Sequence, residues 1–182
     1  DNHDMNRIFT WVNEDYDLWR MAMVYSLTIR GIPQIYYGTE ILMHNRGFDG
    51  DHGVIRSDFP GGWAGDERNA FTGEGMSERE LEAQAFMKRL LNWRKGAEVI
   101  HHGALMQFVP FDEMYAFFRY TDDESVMVIF NKQSEAVDVA LDRFAERLHG
   151  KTQAYDVVTG EIFELGFSLE VPARGFRLLE LR

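Results

Sequence analysis

The sequence predicts an α+β chain, the last elements of a (β/α)8 barrel followed by an antiparallel β-sandwich. Three observations predict it. Residues up to about 96 read as helix, apolar strand, long loop and helix, the order of a βα unit. That stretch offers one buried strand, whereas a closed barrel needs about 250 residues, so it reads as the tail of a larger domain. Residues from about 104 onward show only short, mostly alternating segments separated by turn residues, the spacing of a sandwich. The expected division is 1–98 for the barrel part and 99–182 for the all-β part.

The first helix is expected over Asp15–Ile29. Glu14, Asp15 and Asp17 put negative charge where the helix dipole favours it, and Leu18, Met21, Ala22, Tyr25 and Ile29 recur at helical spacing. Gly31 suits the position after the end. Residues 32–37, Ile-Pro-Gln-Ile-Tyr-Tyr, lie between Gly31 and Gly38 and read as a buried strand with Pro33 near its start. A loop over 38–76 follows, and a loop of that length in a compact domain is functional or disordered. Phe59 and Trp63 argue for order. Ser77-Glu78-Arg79-Glu80 is a capping box that opens a second helix running to about Lys95, with Phe86, Leu90 and Trp93 facing inward.

The expected strands are Leu105–Val109, Tyr115–Tyr120, Val126–Asn131, Ala136–Leu141, Gln153–Val158, Glu161–Leu165, Ser168–Val171 and Phe176–Leu181. Arg143–Leu148 reads as a helical turn or an irregular crossover.

Composition narrows the function. Hydrophobic residues at 45% and aromatics at 14% allow a sizeable core. Nineteen basic against 30 acidic residues leave a net charge of −11, which excludes nucleic acid and anionic membrane surfaces as main partners. Without cysteine there is neither a disulfide framework nor a thiolate metal site. No run approaches the ~18 apolar residues of a membrane span. Asp1-Asn2-His3-Asp4 is too polar for a signal peptide. The compartment stays unknown, a periplasmic or secreted setting being preferred to a cytoplasmic one.

The most informative stretch is Asn2-His3-Asp4 with Arg7. A carboxylate beside an imidazole is a common active-site pair, although by itself it reads as a frayed end or a helix cap. Its context is the helix and the apolar run ending in Tyr36-Tyr37-Gly38, and strand ends share the catalytic face of a βα barrel. Tyr36, Tyr37, Phe59 and Trp63 could offer flat faces for stacking a ligand. Tyr37, at the strand's end, is the best candidate, and packing as core is the competing reading for the other three. His101-His102 and the pair His44 and His52 lack zinc spacing and read as solvated loop residues. Asp49-Gly50-Asp51 resembles part of a calcium loop but lacks the later ligands.

Together, Asp1-Asn2-His3-Asp4, Arg7, residues 31–40, Phe59-Pro60-Gly61-Gly62-Trp63-Ala64-Gly65-Asp66, Asn69-Ala70-Phe71-Thr72 and Leu91-Asn92-Trp93-Arg94-Lys95 resemble the α-amylase family of glycoside hydrolases, in its neopullulanase and cyclomaltodextrinase branch. The resemblance implies the end of barrel strand seven, helix seven, strand eight, a long loop and helix eight, then that family's C-terminal sandwich. It implies that Asp4 is the carboxylate stabilising the transition state and that His3 hydrogen-bonds the sugar being cleaved. Arg7 matches a basic residue of the same motif and is expected to contact substrate. Asp51 and Arg56 correspond, at unusual spacing, to a pair gripping a more distant glucose. The nucleophile and the acid/base are implied to lie ahead of Asp1, so residues 1–182 alone are expected to be inactive. The implied partner is an α-glucan. No cofactor is implied beyond a structural calcium left open in the whole enzyme, and a homo-oligomer is equally open. The rival readings are a transglycosylase of the same family and a non-catalytic carbohydrate-binding or packing module. A row of exposed aromatics on the sandwich would favour binding.

Overall fold

The computed structural model describes all 182 residues. They form two compact units, Asp1–Trp19 with Pro33–Arg89, and Arg20–Ile32 with Leu90–Arg182.

The first unit is helical. It contains α1 (Ile8–Trp11), the start of α2 (Tyr16–Thr28), a 3-10 turn at Thr39–Ile41, α3 (His52–Ile55) and most of α4 (Glu78–Gly96). Trp19 is fully buried, stacked on Tyr16 at 5.5 Å and tilted against Phe86 at 5.9 Å. Ile41, Leu42, Ile55, Ala83 and Met87 complete the core. The first helix was expected one residue longer at each end and without α1 before it. Its buried positions are Trp19, Met21, Met23, Val24 and Leu27, because it is covered on more than the single stripe read from the sequence.

The strand expected over 32–37 does not form. No strand in the chain pairs with this segment, so nothing takes up its ladder hydrogen bonds. Ile32 is 98% exposed, and Ile35 and Tyr37 are more than a third exposed. The segment ends in a turn at Gly38, whose φ of +83° a side chain would strain. A Cβ there would lie 2.1 Å from Met43 Sδ.

The capping box forms as expected. Ser77 Oγ accepts the Glu80 amide at 3.3 Å, and Glu80 Oε2 accepts the Ser77 amide at 2.9 Å. Burial alone would push the Glu80 carboxyl up. It is outweighed by hydrogen bonds from Arg68 and Ser77, which hold the group below its ordinary value. A depressed folded value means that this stabilisation is present above about pH 4.3, the ordinary glutamate value, and is lost as pH falls through the folded value. Ser77→Ala should therefore cost about 1 kcal/mol in urea unfolding at neutral pH, and the deficit should shrink below about pH 4.

The second unit is the β-structure with helical segments against it. Its strands are β1 (Ala104–Gln107), β2 (Met114–Tyr120), β3 (Ser125–Asn131), β4 (Val137–Ala140), β5 (Gln153–Asp156), β6 (Ile162–Glu164), β7 (Ser168–Val171) and β8 (Gly175–Leu181). All eight match segments read from the sequence. They form a six-stranded sheet of order β1-β2-β3-β8-β5-β6 and a two-stranded sheet, β4-β7, antiparallel throughout. Residues 141–148 form a 3-10 turn and one turn of α-helix, α6 (Ala145–Leu148), and α5 (Glu98–His102) precedes β1.

Strand alternation sorts the side chains onto two faces. Met114, Ala116, Phe118, Met127, Ile129, Leu179 and Leu181 pack with Val139, Leu169 and Val171 of the smaller sheet and with Phe144. The opposite face carries Phe117, Val126, Val128, Phe130, Phe176 and Leu178, also buried. Tyr25 of α2 lies 6.3 Å from the rings of Tyr115 and Phe117 and 6.4 Å from Phe130. Arg20 stands 5.3 Å over Phe176. β3 is consequently buried at every position, which explains its unbroken Val-Met-Val-Ile-Phe run where alternation was expected.

Candidate active site

Asn2, His3 and Asp4 form a turn closed by Asn2 Oδ1, which accepts the Asp4 amide at 2.8 Å. The turn leaves the Asp4 carboxylate open to solvent. His3 Nε2 lies 3.1 Å from Asp4 Oδ2, and Arg56 Nη2 donates to Asp4 Oδ1 at 2.9 Å. Arg56 also donates from Nε to the His3 carbonyl at 3.0 Å, so its guanidinium grips one residue's backbone and the next one's side chain. His52 Nδ1 lies 2.8 Å from Arg56 Nη2 and 3.8 Å from Asp4 Oδ1. A carboxylate is thus held between an imidazole and a guanidinium on an open surface. Such a group can stabilise a developing positive charge or hydrogen-bond sugar hydroxyls.

Arg7 is placed differently from expectation. It is 1% exposed, so it cannot reach a sugar. Its guanidinium sits 4.1 Å from the Tyr36 ring centre and 4.8 Å from that of Tyr37, and Nη1 donates to the Tyr37 carbonyl. Asn45 Oδ1 accepts the Arg7 amide at 2.9 Å. Arg7 thereby pins the extended segment that lacks strand partners. Burial lowers the Arg7 pKa from its ordinary value, against the opposing pull of Tyr36, Tyr37 and Glu40. Arg7 Nε and Nη2 and Glu40 Oε2 are buried without hydrogen-bond partners. Burial, with the nearby Tyr37, pushes the Tyr36 phenol up, while Arg7 and Arg56 pull it down.

Asp51 and Arg56, expected to grip a more distant glucose, take different partners in the structure. Asp51 is the N-cap of α3, its Oδ1 accepting the amides of Gly53 at 2.9 Å and Val54 at 3.3 Å. That use of the carboxylate frees Arg56, five residues on, to turn to Asp4. Tyr37 is 39% exposed and donates its hydroxyl to the Ser57 carbonyl at 2.8 Å, leaving part of its ring for a ligand. Trp63, for which core packing was the competing reading, is 68% exposed, and Phe59 packs on exposed Phe71 at 5.3 Å.

Three supporting residues escaped the sequence reading. Asp1 Oδ2 accepts the Ile8 amide at the start of α1 and a hydrogen bond from Thr39. Buried Asn45 links Arg7, Asn6 and Phe48. His52 completes the Arg56 contact, and its i, i+4 spacing to Arg56 was the available signal. No group of three or more His, Asp or Glu side chains is placed to hold a metal ion.

Residues 1–103 match the family described as the alpha amylase catalytic domain, and residues 105–180 match the cyclo-malto-dextrinase C-terminal domain. Alpha-amylase 2 of Dictyoglomus thermophilum is 31% identical over 140 residues, covering 72% of this chain and 21% of that protein. Neopullulanase 2 of Thermoactinomyces vulgaris is 29% identical over 163 residues, covering 88% of this chain and 24% of that protein. The crystal structure of an alpha-amylase from H. orenii superposes with a TM-score of 0.74 at 27% identity, covering all of this chain and 39% of that one. The chain therefore spans about a fifth to two fifths of these relatives' length. The open carboxylate of Asp4 lies within the first matched stretch, and the two-sheet unit accounts for the second. With its catalytic-domain match extending over more than half its length, the chain belongs to the α-amylase family.

Proposed function

We propose that this chain supplies the transition-state carboxylate and part of the glucan-contacting wall of a retaining α-glucan hydrolase of the neopullulanase or cyclomaltodextrinase type. The observation that carries the reading is Asp4, solvent-open and flanked by His3 and Arg56. The two matched families and the neopullulanase relative support the substrate class. In this role Asp4 stabilises positive charge at the sugar ring as the glycosidic bond breaks, and His3 hydrogen-bonds a ring hydroxyl. Tyr37 offers a stacking face. The two-sheet unit serves for packing, a role favoured by the way Tyr25 covers the aromatics of β2 and β3.

Retaining cleavage also needs a nucleophile and an acid/base about 5 Å apart, and the family resemblance assigns neither to residues 1–182. The 182-residue chain is expected to release no reducing sugar from pullulan, cyclodextrin or starch. Maltotriose titrated into the isotope-labelled chain should shift the resonances of His3, Asp4, Tyr37 and Arg56. Unmoved resonances at millimolar sugar would overturn the binding assignment. Turnover that disappears in Asp4→Ala would overturn the expected inactivity.

A further inference from the structure

We propose that His52 is a positioning residue whose neutral ring accepts a hydrogen bond from Arg56 and so holds that guanidinium on Asp4. Arginine carries donors only. At 2.8 Å from Arg56 Nη2, His52 Nδ1 must therefore be the acceptor, and the ring proton resides on Nε2. One nitrogen of Arg56 then bridges the imidazole and the carboxylate, while Nε is tied to the His3 carbonyl. The three contacts fix the plane of the guanidinium.

The arrangement has a built-in dependence on acid. A protonated ring has no lone pair at Nδ1, and two cations would face each other at 2.8 Å. The same Nδ1 lies 3.8 Å from Asp4 Oδ1, the oxygen that Arg56 occupies. Protonated His52 would compete for that oxygen and displace Arg56. The charged groups around it are Arg56 and Asp4, His3 on the other oxygen of Asp4, and Asp51, the N-cap residue immediately before it. The consequence for glucan cleavage rests on the reading of Asp4 given above. The hydrogen-bond arrangement itself does not.

Nuclear magnetic resonance of the 15N-labelled chain without sugar tests it. Long-range proton–nitrogen correlations at pH 8 should show His52 protonated at Nε2. The Arg56 Nε–H should exchange slowly at pH 8. At pH 5 it should exchange at least about tenfold faster than in His52→Asn, the size of one lost charge-assisted hydrogen bond. Asparagine places Oδ1 where Nδ1 stood but cannot take up a proton, so His52→Asn should keep the slow exchange at both pH values. His3 is present in both proteins and cancels from the comparison. An Nδ1-protonated ring at pH 8 overturns the proposal, as does equal Arg56 exchange in wild type and His52→Asn at pH 5. Because no sugar is present, the result is independent of whether the chain binds glucan.

Discussion

Replacing Asp4 by asparagine, in a longer α-glucan-cleaving enzyme that carries this segment, is expected to lower kcat by roughly 10²–10³-fold, the scale of one lost preorganised electrostatic group. Asparagine keeps the shape of the side chain and its ability to accept from Arg56 at Oδ1. The turn closed by Asn2 uses the Asp4 amide and is untouched. What disappears is the negative charge, which matters most once the sugar ring becomes oxocarbenium-like. KM should change little, since neutral sugar gains less from that charge. His3→Ala should be milder, because a hydrogen bond to a neutral hydroxyl contributes about 0.5–1.5 kcal/mol. Steady-state kinetics on maltotriose or cyclodextrin, with circular dichroism as the folding control, decides it. A kcat within a few-fold of wild type would remove Asp4 from the catalytic role.

The second large effect is on stability. Arg119→Met should destabilise the β-containing unit by about 3 kcal/mol, the cost of two buried carbonyls losing charge-assisted partners. Arg119 is 1% exposed and projects from β2 on the face opposite the smaller sheet. It donates to the Thr28 carbonyl at 3.0 Å and to the Gly103 carbonyl at 2.8 Å. Thr28 ends α2, and Gly103 is the C-cap of α5, so one guanidinium serves two helix C-termini. Burial pushes the Arg119 guanidinium below its ordinary value, and Arg94 and Arg30 push the same way. The carbonyl dipoles offset that cost. Methionine is of similar length and offers no donor, so the packing is largely kept and the hydrogen bonds are not. Urea midpoints followed by circular dichroism measure the loss. A change below about 1 kcal/mol would mean that water reaches both carbonyls in the variant.

What the sequence revealed and what it concealed divide along the range of the interactions. The capping box at Ser77–Glu80 is local chemistry, and it was readable as such. The eight strands were readable because turn residues punctuate them at short intervals. The segment 32–37 was misread because strand character depends on neighbours, and its apolar pattern says nothing about whether they are there. β3 was read only as one of several mostly alternating strands, whereas α2, about a hundred residues earlier in sequence, covers its second face. In the candidate site, Asp4 and His3 stood out as adjacent residues. Arg56 lies 52 positions from Asp4, and only the fold brings them together. Asp51 is drawn into a local contact the sequence reading did not weigh, the N-cap of α3. Arg7 was given a substrate role from its motif, yet burial makes it part of the scaffold.

The position of β8 in the sheet has a consequence for synthesis. β3 gains its second neighbour only when residues 175–181 arrive, after β4 to β7 have been made. Until then the nascent chain carries an open seam beside its most apolar strand, with Met127, Val128 and Ile129 unable to complete their packing. The latest of the eight strands enters the middle of the sheet, between β3 and β5, and not its rim. Folding of this unit must therefore await emergence of β8, and the long wait between partners slows closure. A chain ending before Gly175 would lose the keystone of the sheet instead of a dispensable tail, and quality control should clear it as unfolded.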